Sequence, residues 1–598
     1  MSAAAAAAFR LDPLLSRFVP RSVASVLAPP LEMMLALRRL ERVYAQLPPT
    51  DNPLDFARQA LDYLRVRFEV SGALPELPGE GGLVVVANHP FGGIEGLYLY
   101  ALLAARRADV RILGNRLLAR VAELKPVLFT VDVLSGRAAA RDNAVAMRHA
   151  VRWVANGGVL LVFPAGEVST LDPASRTVVD RAWQPSVARL ISLAKAPVVP
   201  VYFDGSNSPL FHAAGFVHPR LRTALLPREL LNKRNRRIGV RVGRPIPVRQ
   251  IAALNGDGPL IEHLRMRVYA LASELDVPRS RDDEVRAGAS QAAPLAGAGD
   301  STLLATEIAA LPAERCLGKN GDLEVWYAAS AAVPMVMQEI GRLRELTFRA
   351  AGEGTGRACD LDLYDSYYDQ LFVWNRVRGE IVGGYRIGRT DQIRARYGQK
   401  GLYTSSLFRF HRALLPSLGP ALELGRSFVR PEYQKTFAPL LLLWKGIAGY
   451  VLAHPRYRVL FGPVSISNDY TLASKAMLTG FLRSRHGDAA RGSLARARHP
   501  LHAGSGDRVV RREGAEVGTL EALEAVLTSI EADGKGVPVL LRQYLKLGAR
   551  VIAFNVDPAF GHSIDVLVAA DLLDTDDKVL AKYMGKDGAR QYLAAHGR

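Results

Sequence analysis

A chain of 598 residues is too long for one ordinary hydrophobic core, so two or more domains are expected. With 49% hydrophobic and 23% charged residues the composition is that of a globular protein, and two cysteines leave no basis for a disulfide framework or a cysteine-based metal site. The formal charge of +19 calls for an anionic partner; nucleic acid, an anionic membrane and an acidic protein all fit, but no zinc-finger spacing or RNA-recognition signature supports nucleic acid.

The opening Met1–Arg10 has no basic leader and is too short for a signal peptide or a span. Leu31–Leu47 has helical apolar spacing with basic residues between, which suits an interfacial helix or one packed on its own domain. Leu83–Ala87 reads as a buried strand and Leu97–Ala105 as a helix, which puts His89 and Glu95 in the connecting turn or in the first helical turn. Gly92 and Gly93 permit a backbone course that other residues resist. A strand-to-helix loop opens on a crevice, and a histidine beside a carboxylate suggests a base and its orienter. Arg137–Ala155 and Val187–Ala196 are helical, while Val159–Phe163 and Val198–Phe203 are strand-like, the first running into a Pro/Gly loop; the alternation is an α/β pattern. Tyr202–Ser208 fits either the far wall of the crevice or a plain turn. Basic Arg228–Arg241 fits lipid headgroups, an acidic donor protein or a solvated face.

In this order, the Asn88-His89 loop, the Phe163-Pro164-Ala165-Gly166 loop and the Val198-Val199-Pro200-Val201 strand resemble the lysophospholipid acyltransferase superfamily. The resemblance implies that His89 and Glu95 deprotonate an acceptor hydroxyl that attacks an acyl thioester directly. It also implies substrate contacts from Asn88, Gly92, Gly93, Phe163, Pro164, Gly166 and Glu167, with Arg137 near the family's second arginine. Five residues separate His89 from Glu95 where the family usually has four before an aspartate, so the Gly92-Gly93 turn must absorb one. The family loop Phe-Pro-Glu-Gly-Thr-Arg is here Phe163-Pro-Ala-Gly-Glu-Val168. Loss of its arginine fork suggests an acceptor without a glycerol phosphate.

Residues 280–301, rich in Ala, Gly, Ser and Asp, read as a linker between a first domain of 1–279 and a second of 302–598. Beyond it Leu323–Ala328 is strand-like, Ala332–Ala350 helical, and Gln370–Asn375 and Glu380–Gly388 look like paired strands. The longest apolar run, Ala438–Leu452, is interrupted by Lys445, so no transmembrane helix is expected.

The ordered motifs around Arg344, Asp362, Asp365, Arg386 and Leu422-Glu-Leu-Gly-Arg-Ser-Phe-Val429 resemble the acyl-carrier-protein-dependent relatives of the N-acetyltransferase (GNAT) family, namely ornithine-lipid N-acyltransferases, often labelled hemolysin-like, and acyl-homoserine-lactone synthases. The resemblance implies an α+β domain in which Arg344, Asp362, Asp365, Arg386, Glu423, Arg426 and Ser427 surround an amino-acid acceptor and a donor thioester. Glu423 would be the base and the arginines would hold the acceptor's carboxylate. Arg430–Pro439 stands where CoA-dependent members have a glycine-rich pyrophosphate loop, and it lacks glycine. An acidic carrier protein presenting a phosphopantetheine thioester would suit both that loop and the basic charge.

Together the halves resemble bifunctional ornithine-lipid synthases: an amide is made first in the C-terminal half, then an ester in the N-terminal half. That reading requires no metal or bound cofactor and places the chain in the bacterial cytoplasm, peripheral on the inner membrane face. The rivals are a 1-acylglycerol-3-phosphate-type acyltransferase with a carrier-recruiting GNAT-like domain, and a hemolysin-like membrane-binding protein.

Overall fold

The computed structural model describes residues 28–30, 32–132, 140–173, 175–274, 293–436, 438–502 and 504–598. Arg137, Met1–Arg10 and linker residues 280–292 lie outside them. The chain forms two compact units: one built from the chain up to Val277 with Gly504–Glu513 and Gly518–Val526, the other from the remainder.

In the first unit the apolar runs become strands β1 (Arg67–Gly72), β2 (Leu83–Ala87), β3 (Val110–Asn115), β4 (Leu128–Val131), β5 (Val159–Val162), β6 (Thr170–Asp172), β7 (Thr177–Val179), β8 (Val198–Phe203) and β9 (Arg237–Val242). Seven form one sheet in the order β1-β9-β8-β2-β5-β3-β4, and β6 and β7 make a separate hairpin. Strands β8, β2, β5, β3 and β4 run parallel, and β9 reverses against β8. Every residue of β2, β5 and β8 is buried, which is why these strands read as unbroken apolar runs rather than alternating ones. The centre of the sheet is therefore β2, and its carboxyl end delivers the His89 loop.

The helical part of Leu31–Leu47 settles as Leu37–Gln46, burying Leu37 and Val43 with Leu40 and Tyr44 against the core. It is thus packed on its own domain over that length. One carboxylate and one guanidinium from far along the chain complete this unit. Glu513 pairs with Arg265 at 2.8 Å, and Arg512 reaches Asp172 at 2.7 Å.

The second unit contains β10 (Cys316–Asn320), β11 (Leu323–Ala329), β12 (Asp369–Asn375), β13 (Glu380–Arg389), β14 (Phe408–Phe410), β15 (Ala421–Val429), β16 (Val459–Ile466), β17 (Ala495–Ala497), β18 (Arg550–Asp557) and β19 (Ser563–Asp571). Eight form a sheet in the order β10-β11-β12-β13-β15-β16-β19-β18, with β14 and β17 paired apart from it. All neighbours are antiparallel except β15 and β16. That parallel pair stays together only through Ala421, Leu422 and Glu423. Beyond Glu423 the two strands cease to pair.

The apolar run at Ala438 forms helix Ala438–Ala453, which buries Leu442, Leu443, Trp444 and Ile447 in the second unit. Among the described residues no helix is long and apolar enough to cross a membrane. The described end of the expected linker is not loose chain: Ala293 and Ala296 donate to the carbonyls of Gly356 and Ala358, Gly299 donates to Glu339, and Asp300 caps helix Ser301–Ala309. Each of these backbone groups finds a partner on the second unit, so the connection ends before Ala293.

Candidate active sites

Strand β2 ends at Ala87, and helix Ile94–Ala104 begins seven residues later, with Glu95 in its first turn. Glu95 is fully buried, and its carboxylate accepts the backbone N–H groups of Phe91 (2.9 Å), Gly92 (2.8 Å) and Gly93 (3.1 Å). His89 Nδ1 lies 2.9 Å from Glu95 Oε1, at an angle too bent for a linear hydrogen bond. Burial works to raise the Glu95 carboxyl, but His89 and the surrounding donors outweigh it and hold the group below its usual range. The acid is therefore a fixed negative charge beside the imidazole. Because Nδ1 faces Glu95, Nε2 is the nitrogen left to an acceptor hydroxyl.

Gly92 absorbs the extra residue between the pair. Its φ is +91°, and a Cβ there would stand 2.6 Å from Leu226 Cδ2 and 2.8 Å from Val168 Cγ2. Gly93, at φ −176°, is ordinary extended backbone and contributes no such freedom. Gly92→Ala is expected to displace the loop and lower first-unit turnover by about the 10²-fold that a misplacement near 1 Å brings. Second-unit turnover should be unchanged, as parallel assays of the two activities would show.

Asn88 stands apart from the crevice. Its side chain donates to the Phe203 carbonyl at 2.9 Å and accepts the Phe203 N–H at 2.7 Å, stapling the loop to the end of β8. The Phe163 ring packs against His89 with centroids 4.3 Å apart. The Pro164 carbonyl accepts the Gln184 N–H, and Gly166 turns the loop at φ +68°. Glu167 meets Arg222 at 2.6 Å and Arg181 at 3.7 Å. An arginine thus reaches this loop from helix Pro219–Ala224 although the loop's own sequence lacks one, and Glu167 balances its charge.

Sequence reasoning missed Arg222 and also Asp180. The buried Asp180 carboxylate accepts the His89 N–H (3.2 Å), the Ser169 hydroxyl (2.5 Å) and the Trp183 indole N–H (2.9 Å). It ties the His89 loop to the Phe163 loop from beneath. Little near it in sequence marks this role, because two of its three partners, His89 and Ser169, come from other segments of the chain.

The second unit holds a chain of buried ion pairs close to Glu423. Arg344, on helix Pro334–Ala350, donates to Asp365 and to Gln370, each at 2.8 Å. Asp362 and Asp365 cap the short turn Leu363–Ser366 reciprocally. Arg386 joins them, 2.6 Å from Asp362 and 3.3 Å from Asp365. Arg426 follows, 3.2 Å from Asp360 and 3.7 Å from Asp362. Three guanidinium groups thus alternate with three carboxylates, which removes most of the cost of burying each charge. Arg386 Nη2 is buried without a hydrogen-bond partner, leaving one guanidinium donor for an anionic group.

A bulge in β15 places this row. Opposite Gly384 and Arg386 of β13 stand Phe428 and Gly425, so β15 carries one extra residue at Arg426-Ser427. The extra residue turns through Arg426 itself, at φ +48°, and not through Gly425. Ser427 lies half-buried on the same bulge.

Glu423 is enclosed, 1% exposed, and accepts from the Tyr368 hydroxyl, the Tyr403 N–H (3.2 Å) and the Thr404 N–H (2.7 Å). Burial raises its carboxyl despite those donors. The Tyr403 ring in turn lies under both Arg386 (4.9 Å) and Arg426 (5.0 Å), and Tyr364 and Tyr368 flank Arg386 at 5.5 and 5.3 Å. These tyrosines connect Glu423 to the arginine row, and the sequence reading named none of them.

A second acidic group borders Arg426. Burial, with Asp557 and Glu353 nearby, pushes the Asp565 carboxyl from 3.8 up to about 8. Burial, with Asp469 nearby, pushes Glu353 from 4.5 up to about 7. Both folded values lie above the unfolded ones, so the native state holds protons that the unfolded chain releases. The stabilisation is complete below about pH 4 and is lost as pH rises through 7 to 8. The urea midpoint of the second unit should therefore fall between about pH 5.5 and about pH 8.5, and Asp565→Asn should flatten that fall.

Residues 35–278 match the family model described as Acyltransferase, and residues 343–445 match that of the acetyltransferase (GNAT) domain. The glycine N(alpha)-acyltransferase of Bacteroides thetaiotaomicron is 33% identical over 271 residues, spanning 43% of this chain and 80% of that protein. The lyso-glycine lipid O-acyltransferase of Phocaeicola vulgatus is 27% identical over 201 residues, 32% of this chain and 69% of that protein. The L-ornithine N(alpha)-acyltransferase of Rhodobacter capsulatus is 33% identical over 135 residues, 21% of this chain and 50% of that protein. With a histidine–glutamate pair after a parallel strand in the first unit and a row of buried arginine–carboxylate pairs in the second, the chain belongs to the acyltransferases, an acyltransferase domain preceding a GNAT domain.

Proposed function

We propose that this enzyme is a bifunctional aminolipid synthase. The second unit joins a 3-hydroxyacyl group to the α-nitrogen of an amino acid, and the first unit esterifies the hydroxyl of that lyso-lipid. The observation that carries the reading is the presence in one chain of similarity to proteins named for each of the two steps, a glycine N-acyltransferase and a lyso-glycine lipid O-acyltransferase.

In the first step the amino nitrogen attacks the thioester carbonyl, the C–N bond forms, the C–S bond breaks and the thiolate takes up a proton. Arg386 Nη2 holds the amino acid's carboxylate, and Glu423 accepts the ammonium proton through the Tyr368 hydroxyl. In the second step His89 Nε2 takes the hydroxyl proton as the C–O bond forms and returns it to the leaving thiolate, while Glu95 stabilises the transient imidazolium.

The donor we propose is an acyl carrier protein thioester. Arg430–Tyr433 is held down by Arg430–Glu380 (2.7 Å) and Tyr433–Glu380 (2.6 Å) contacts, and it offers no glycine cradle for a pyrophosphate. Lipid extraction from cells expressing the intact chain tests the whole reading. A new lipid that bears one amide and one ester and releases an amino acid on acid hydrolysis supports it; acylated glycerol phosphate without any such lipid would refute it.

A further inference from the structure

Helix Pro209–Val217 reads Pro-Leu-Phe-His-Ala-Ala-Gly-Phe-Val and is apolar on nearly every side. Such a helix belongs in a core. Here only Phe211 and His212 are buried, while Phe216 is 63% and Val217 is 77% exposed. Leu210 at the start of the helix and Leu221 in the next one are also open to water. Leu35 packs on the same small cluster as Ala214 and Phe211, so the helical residues Met33 and Met34 just before it, both exposed, lie beside this helix.

The same elements border the first active site. Phe211 and Leu225 pack against Val168 of the Phe163 loop, Leu226 fills the space over Gly92, and Arg222 reaches Glu167. Exposed Arg39, Arg42, Arg234 and Arg236 lie in the adjoining segments, and the chain as a whole carries a formal charge of +19.

We propose that the exposed end of helix Pro209–Val217 and Leu221 of helix Pro219–Ala224, with Met33 and Met34, dock the first unit onto an anionic lipid bilayer. The inference rests on the proposed esterification of a lipid hydroxyl, since only a membrane-borne acceptor requires the mouth of this site to meet a bilayer. Apolar side chains enter the boundary between headgroups and acyl chains, and the neighbouring arginines meet anionic headgroups. The acceptor's hydroxyl then reaches His89 while its chain stays in lipid.

The test is co-sedimentation of the full chain with phosphatidylglycerol/phosphatidylcholine vesicles, alongside esterification of a water-soluble short-chain acceptor. The unmutated chain should bind these vesicles, and Phe216→Ser with Val217→Ser should weaken binding about tenfold or more while short-chain turnover is unchanged. Unaltered vesicle binding by the double variant overturns the proposal. So does loss of a dimer in place of lost vesicle binding, which would show that a second copy covers this face. Should the double variant lose short-chain turnover as well, Met33→Ser with Met34→Ser takes its place under the same criteria. Vesicle binding that depends on Phe216 and Val217 in a chain that esterifies no hydroxyl acceptor would sink the catalytic reading and leave the docking surface standing.

Discussion

His89→Ala is expected to abolish ester formation, lowering its rate ~10²–10⁴-fold, while amide formation proceeds and monoacyl lyso-lipid accumulates. Glu95 cannot substitute as the base. It is fully enclosed, its oxygens are held by three backbone donors, and its carboxyl is kept below the usual range. Asp180 cannot substitute either, because its carboxylate is engaged by Ser169, Trp183 and the His89 backbone. Glu95→Gln gives a complementary result: it retains much of the shape of the capping interaction but removes the charge opposite His89, so the loss should appear in kcat more than in KM. Diacyl product from His89→Ala at near-normal rate would contradict the assignment.

Glu423→Gln should depress amide formation by ~10² or more, with supplied lyso-lipid still esterified. Two roles are separable for this residue. As a base acting through Tyr368, it would share its phenotype with Tyr368→Phe, and both variants would lose the acidic limb of the pH–rate profile. As a brace for the Tyr403-Thr404 backbone alone, it would leave that limb intact and Tyr368→Phe would be mild. We expect the first pattern, because burial raises the Glu423 carboxyl toward the range in which a base is useful at neutral pH. Of the two routes open to a carboxylate base, direct or through an intermediary, the Tyr368 hydroxyl held by Glu423 favours the second.

What the sequence made legible follows from how local each feature is. The His89–Glu95 pair was readable because a buried strand, a turn with glycine and a helix lie within one short stretch, and Gly92 alone makes the spacing work. Glu423 and Arg426, three apart, fall on opposite faces of a regular strand, so their sharing one site implies an irregularity around Leu424-Gly425; the structure has it at Arg426-Ser427. Its cause was not foreseen, since a left-handed arginine is stabilised by Asp360 and Tyr403, residues far away in sequence. Arg222 and Asp180 were invisible for the same reason. The first supplies a loop with the arginine its own residues lack, and the second is defined only by what converges on it. The absence of an arginine at Val168 thus does not by itself decide whether the acceptor carries a phosphate.

Glu513 lies more than two hundred residues beyond the end of the first unit's main segment, yet it closes the pocket around Arg265. Arg265 in turn donates to the carbonyl of Asp180, the residue that holds the His89 loop in place. The two relatives named for the separate steps are separate proteins, whereas here one polypeptide lends part of itself to the other's frame. A ribosome that has finished only the first 300 residues has therefore not finished the first enzyme. A chain ended near residue 300 lacks the Arg265–Glu513 ion pair and is therefore expected to lose first-unit turnover; near-normal turnover of that truncation would contradict the expectation.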